Sequence, residues 1–271
     1  MRLNKLALIS GAVLLVLALA ACSSAEIAAT AIPDVPANTP IPTPEPTSPG
    51  VASEAPGACR HAFYPLRSDM IWTYQIVSPV EAAEGSFELS YENITADSFD
   101  ALMSLRDPET DEIYRASGTW YCSDDGIISS DLAAITFLTA ADVTVETLDY
   151  DGITLLPASQ WEVGKSWDSS YQVNENFDME GMEISAAMTV DITSTIAAIE
   201  EISVSAGTYS EAYRVNTKGS MIMDLGGDMG ASLSDIPIEY NTWYVRDIGM
   251  VRQETLGVDA DGTYVELFSL E

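Results

Sequence analysis

The sequence predicts an all-β protein: an antiparallel meander forming a strongly curved sheet, half-barrel or open barrel, after a disordered Pro/Thr-rich tether. Three observations predict it. Beyond Gly57 apolar and polar residues alternate in short runs, the period-two signature of half-buried strands. Turn chemistry separates the runs at Asp124-Asp125-Gly126, Asp151-Gly152, Ala206-Gly207 and Asp261-Gly262, because Gly and Asp accept the backbone angles of tight hairpins. Helical periodicity is weak, Ser130 to Ala141 being the best short candidate. Strands joined by short turns pair antiparallel with their chain neighbours, which makes the architecture a meander.

The predicted strands follow in order. The first five span Ile71 to Val77, Gly85 to Ile94, Ala101 to Arg106, Ile113 to Cys122 and Gly126 to Ser129, the last two divided by the Asp-Asp-Gly turn. Thr144 to Leu148 stops before Asp151-Gly152, and Ser166 to Asn174 and Glu183 to Thr195 come next. Glu211 to Met223 follows Ala206-Gly207; Ile238 to Arg246, Met250 to Leu256 and Gly262 to Leu270 complete the set. Two segments, the acidic Asn174 to Glu183 and the Gly-rich Asp224 to Pro237, read as long mobile loops. The tryptophans at 72, 120, 161, 167 and 243 and the neighbouring tyrosines read as core and inter-strand packing.

The amino terminus has a different texture. Met1 to Lys5 is basic, Leu6 to Ala21 carries no charge, and Cys22 follows small residues. Leu19-Ala20-Ala21-Cys22 resembles the lipobox of bacterial lipoprotein precursors, with a consensus residue at every position. The resemblance implies cleavage after Ala21, a diacylglyceryl thioether on Cys22 and a domain tethered to the extracytoplasmic face of a bacterial membrane. An ordinary signal peptide cut near Ala21, or an uncleaved signal anchor, are the alternatives. Two or three acyl chains hold a protein durably where one is marginal, at about 0.8 kcal/mol per buried methylene. The resemblance thus implies a lipoprotein signal peptide at residues 1–21, a lipidated Cys22 with a disordered Pro/Thr/Ser-rich linker over 22–56, and a folded β domain over 57–271. The linker holds eight of the 13 prolines, lacks the large apolar residues a core needs and favours extended polyproline-like spacing.

Charge excludes whole classes of function. The chain has 11 Lys plus Arg against 42 Asp plus Glu, a formal net charge of −31, which repels nucleic-acid phosphates and anionic headgroups. Its single histidine, His61, leaves no His-rich metal site and one candidate for any His-dependent triad. No G-x-S-x-G elbow or phosphate-cradling glycine loop is present. Acidic clusters such as Asp107, Glu109, Asp111 and Glu112, or Asp259 and Asp261, lack the repeated spacing of a calcium loop. No catalytic residue, cofactor or metal is expected.

With Cys22 assigned to lipid, Cys59 and Cys122 remain, an even pair in an exported domain and therefore a disulfide. A reactive thiol is the alternative, and it lacks a Cys-x-x-Cys motif. Several phrases of the folded part resemble exported β-rich bacterial proteins gathered with lipoprotein-carrier-like half-barrels. They include Phe63-Tyr64-Pro65-Leu66 with Trp72-Thr73-Tyr74, Cys122 with Asp125-Gly126-Ile127, and Leu155-Leu156-Pro157 with Val163-Gly164-Lys165-Ser166-Trp167. Val204 to Tyr209 with Ala212-Tyr213, and Trp243-Tyr244-Val245 with Ile248 to Val251, continue the order. Arg67 to Ile71 stands where that pattern has a glycine-containing turn. The resemblance implies the fold and transfers no catalytic residue.

Two functions fit these features. One is a non-enzymatic module binding an apolar small molecule or lipid on the concave face, with Met221, Met223 and Met229 near a Gly-rich lip as ligand candidates; packing in the core is the other role open to them. The alternative is an envelope interaction protein that contacts a protein or glycan through its acidic surface or a sheet edge.

Overall fold

The computed structural model describes residues 52–78, 85–106, 113–129, 143–179, 182–225, 231–256 and 263–271, all within the unit Glu45–Glu271. Among them twelve strands form one sheet: β1 (Trp72–Val77), β2 (Gly85–Glu92), β3 (Ser98–Arg106), β4 (Ile113–Ser123), β5 (Gly126–Ser129) and β6 (Val143–Gly152), then β7 (Ser166–Met179), β8 (Met182–Val204), β9 (Gly207–Leu225), β10 (Ala231–Val245), β11 (Gly249–Thr255) and β12 (Tyr264–Leu270). The spatial order is β5-β4-β3-β2-β1-β12-β11-β10-β9-β8-β7-β6. Each neighbour but one pair is consecutive in the chain; the exception joins β1 to β12, antiparallel from Trp72 opposite Leu270 to Val77 opposite Tyr264.

The sheet nearly closes into a barrel at the seam between β5 and the segment after β6. There Ile127 N–H donates to Leu155 O (2.9 Å), Leu155 N–H returns to Ile127 O (3.0 Å) and Ser129 N–H donates to Thr154 Oγ1 (2.8 Å). Gly126 takes φ 142° at this seam, and a Cβ on it would strike the Leu155 carbonyl, so only glycine allows the approach.

Wall height is uneven. β8 has 23 residues and β11 has 7, so at about 3.3 Å per residue one wall rises several times higher than the other. β10 pairs with β11 over Tyr240–Val245 but with β9 from Ala231 onward. Pro237 sits in the part of β10 that pairs on one side, beside a bulge between Leu233 and Ile236, where a missing N–H costs no ladder bond.

Three expectations are corrected. Asn174 to Glu183 is not a loop: β7 runs to Met179 and β8 starts at Met182, with Asp178 opposite Glu183. Asp224 to Pro237 is strand to Leu225 and again from Ala231; ladder bonds to a neighbouring strand override the low intrinsic preference of such residues. β8 also continues nine residues past Thr195, to Val204. Bulges between Ile196 and Ala198 and between Glu200 and Ile202 shift the alternation out of phase and hide this continuation from a period-two reading. The helix candidate Ser130 to Ala141 and the turn Asp261-Gly262 lie outside the described residues.

The interior is filled from two sides. On β3 Phe99, Ala101 and Met103 face inward, and Trp72 and Tyr74 do so on β1; fully burying one such large side chain contributes about 2–3 kcal/mol. The chain before β1 turns in under the barrel, burying Ala55, Cys59, His61, Phe63 and Leu66. The Phe63 ring stacks on Trp161 at 4.2 Å, and the Arg246 guanidinium lies over the same Phe63 ring at 4.8 Å. Packing begins before Gly57: Ala55 is buried, Glu54 N–H donates to Leu66 O (3.1 Å), and Ser53 Oγ accepts from the N–H of Leu66 (3.2 Å). A second cluster, Tyr171, Val173, Met188 and Val190, lines the inner face of the tall wall.

Candidate functional site

Where the two clusters meet, the barrel holds a partly open cavity of about 170 Å³. Its walls follow from strand alternation, since every second residue of each strand points inward. Trp72 and Tyr74 enter from β1, Leu89 and Tyr91 from β2, Val190 and Ile192 from β8. Ile238, Tyr240 and Tyr244 of β10 lie across from them, and Tyr64 and Pro65 enter from the segment before β1. Gly219 of β9 faces Ile192 and Ile238. A Cβ there would collide with the Asp191 carbonyl, so a glycine lets β9 crowd against β8.

The wall's polar groups satisfy one another. Trp72 Nε1 donates to Ile248 O (2.8 Å), Tyr74 OH to Met250 O (3.1 Å) and Trp167 Nε1 to Thr154 O (3.0 Å). Ser194 and Thr217 share a hydroxyl contact at 2.9 Å, and Thr154 and Tyr171 one at 3.3 Å. The exception is Trp120, a cavity-lining residue whose buried Nε1 has no partner. Burial raises the phenols of Tyr74, Tyr91 and Tyr244 above the ordinary tyrosine range; for Tyr64 a hydrogen bond with Tyr91 opposes the same rise. These hydroxyls therefore stay neutral at physiological pH.

Below the cavity, Cys59 and Cys122 are joined by a disulfide with Cα atoms 5.1 Å apart, linking the segment before β1 to β4 across 63 positions. His61 is buried with Nε2 2.8 Å from Leu156 O, and its Nδ1 accepts the Phe63 N–H at 3.2 Å. Those two contacts require the neutral ring protonated on Nε2. Burial is the main reason its pKa falls to about 4; the Leu156 carbonyl opposes the fall and Arg246 adds to it. With Cys59 bonded and His61 neutral and enclosed, the pair performs no thiolate chemistry. Among the described residues no three His, Cys, Asp or Glu side chains gather as metal ligands.

Met221 and Met223 are half-buried on the inner face of β9, opposite Val190 and Met188, and pack against the second cluster without lining the cavity. Met229 and Cys22 lie outside the described residues. The residues that do line it were legible in sequence only as core aromatics. The available signal was an inward face mixing Tyr with Ser and Thr, as at Ser169 and Tyr171 or Tyr240 and Thr242, where an ordinary core strand carries aliphatic residues.

No curated protein matches this chain. Two solved structures resemble it in fold. One, from Bacteroides fragilis NCTC 9343, is described as an exported protein with a YmcC-like fold; it is 15% identical with a TM-score of 0.52, over 78% of this chain and 99% of the other. The second, from Parabacteroides distasonis ATCC 8503, is described as a lipoprotein; it is 14% identical with a TM-score of 0.56, over the same shares of the two chains. At the level of sequence, residues 88–262, from β2 through β11, match the model of the DUF3108-like family, and a match over more than half the chain makes this protein a member of that family.

Proposed function

We propose that the protein is an exported bacterial lipoprotein, anchored through Cys22, whose barrel holds an apolar ligand and performs no catalysis. The observation that carries the ligand reading is the partly open cavity of about 170 Å³ walled largely by aromatic and aliphatic side chains. A dry engineered cavity of about 150 Å³ takes up benzene, so this one has room for a single ring or about six carbons of a chain. Export and anchoring are supported by the lipobox Leu19-Ala20-Ala21-Cys22 and by the two structural neighbours, one described as exported and the other as a lipoprotein.

The test is native mass spectrometry of the protein purified without denaturant, before and after organic extraction. A bound mass that extraction removes supports the reading and identifies the ligand class. A clean apo mass, with the fluorescence of Trp72, Trp120 and Trp167 unchanged by added apolar probes, refutes it.

A further inference from the structure

We propose that the barrel docks on the surface of the membrane that carries its anchor, through the end plugged by the segment before β1; this rests on the anchoring reading above. The up-and-down meander assigns each connection to one of two ends. At the plugged end lie the start of β1, the β4–β5 and β8–β9 turns, the β6–β7 connection and the end of β12. The chain enters the barrel at this end. Ala58 N–H donates to Ala96 O between β2 and β3 (3.0 Å), Asp247 N–H donates to Ala62 O (2.6 Å), and His61 reaches Leu156. The tall wall rises from the opposite end, where β10 pairs with β9 from Ala231 but with β11 only from Tyr240.

Exposed large apolar side chains collect around the plugged end. Among the described residues there are nine such side chains. Ile71 directly precedes β1, Val163 lies in the connection before β7, and Tyr121, Tyr150 and Phe268 each stand two residues from the end of their strand on this side. Ile199 is level with them, since its β9 partner Tyr213 also faces Tyr244, next to the last residue of β10. The other three, Ile113, Leu148 and Ile222, lie farther up the walls. Six of nine therefore ring the end by which the chain is tied to the membrane. Aromatic side chains settle at headgroup level, and the exposed Lys165, two residues from Val163, reaches the phosphates over its own apolar stem.

Such a rim is too weak to hold a free protein, and the tether removes that requirement. Thirty positions separate Cys22 from Ala52. Even fully extended, at about 3.1 Å per residue, they confine the barrel within about 90 Å of the bilayer, an effective concentration of about 1 mM. The net charge of −31 steers docking to zwitterionic headgroups, because anionic ones repel it. Without its acyl chains the protein leaves the membrane.

The experiment uses the lipidated full chain in phosphatidylcholine vesicles containing a lipid spin-labelled near the headgroup. A fluorophore is attached through Val163→Cys, Phe268→Cys or, at the opposite end, Ile222→Cys. Labels at 163 and 268 are expected to lose most of their fluorescence to the spin label while the label at 222 keeps it, and anionic lipid is expected to reduce the loss. Replacing Tyr121, Tyr150 and Ile199 together by Ser, all at exposed positions, is expected to restore fluorescence at 163. Equal quenching at the three positions, or none at 163 and 268, overturns the docking. A blue shift at 163 that grows with protein density without quenching assigns the rim to a second copy and also overturns it. A chain that carries no acyl mass and does not float with the vesicles sinks the anchor itself, and the docking with it; flotation with acyl mass but no quenching sinks the docking alone.

Discussion

Lowering the pH from 7 to 5 should destabilise this protein through one residue, His61. The ring is buried, donates from Nε2 to Leu156 O and accepts the Phe63 N–H at Nδ1, so the folded state has no place for a second ring proton. Its pKa falls from 6.5 to about 4. The unfolded chain therefore binds a proton that the native state refuses, and stability rises with pH wherever that difference exists. Stability is complete above pH 6.5, declines as the pH falls through 6.5 and stops declining below about 4. A shift of this size corresponds to about 3 kcal/mol in all, of which about 2 kcal/mol is lost between pH 7 and pH 5. Exposed carboxylates with lowered pKa, Asp69, Asp100 and Glu239, act at more acid pH and are common to any variant. The assay is urea unfolding at pH 7 and pH 5 on the wild type and His61→Gln, which keeps a donor and an acceptor but cannot titrate. The wild type should lose about 2 kcal/mol more than the variant across this interval. An equal pH dependence in the two proteins would refute the assignment of His61 as neutral and enclosed.

Further predictions concern the frame. Replacing Cys59 and Cys122 together by Ala reopens a loop whose ends are 63 positions apart; on the chain-entropy relation this costs about 4 kcal/mol, read as a lower urea midpoint. Gly219→Ala puts a Cβ into the Asp191 carbonyl and should destabilise by about 1–3 kcal/mol through forced backbone displacement; an unchanged melting temperature would show that β8 and β9 separate freely there. Ala101→Phe, at a buried lining position, should fill part of the cavity and abolish uptake of benzyl alcohol; undiminished uptake in a folded variant would move the ligand elsewhere. Cys22→Ala should release the protein into the soluble fraction; a variant that stays on the membrane, together with no unprocessed form accumulating in the wild type, would sink the lipid anchor.

How much of this was legible before the fold is clearest at particular residues. The sequence places the strand at Gly126–Ser129 to the residue, because Asp124-Asp125-Gly126 announces the turn that starts it. The sequence ends β8 at Thr195 because two bulges break the period-two alternation beyond it, where the strand itself does not end. Adaptability makes the methionines ligand candidates, yet Met221 and Met223 sit directly opposite Val190 and Met188 and pack against the second cluster. Trp120 reads as core, and core it is, stacked against Tyr64 and Phe99; that its N–H lacks a partner emerges only in the fold.

By itself the sequence determined the strand inventory, the meander order and the net charge of −31. Those properties are local or additive: period-two alternation, turn residues and charge are each legible within a few positions. Tertiary structure decided the rest. The pairing of β1 with β12, the seam at Ile127 and Leu155, the His61–Leu156 contact across 95 positions and the neutral cavity between two clusters all join residues far apart in the chain. Such contacts depend on how strongly the sheet coils and where its bulges fall, and a one-residue change of register turns an inward side chain outward.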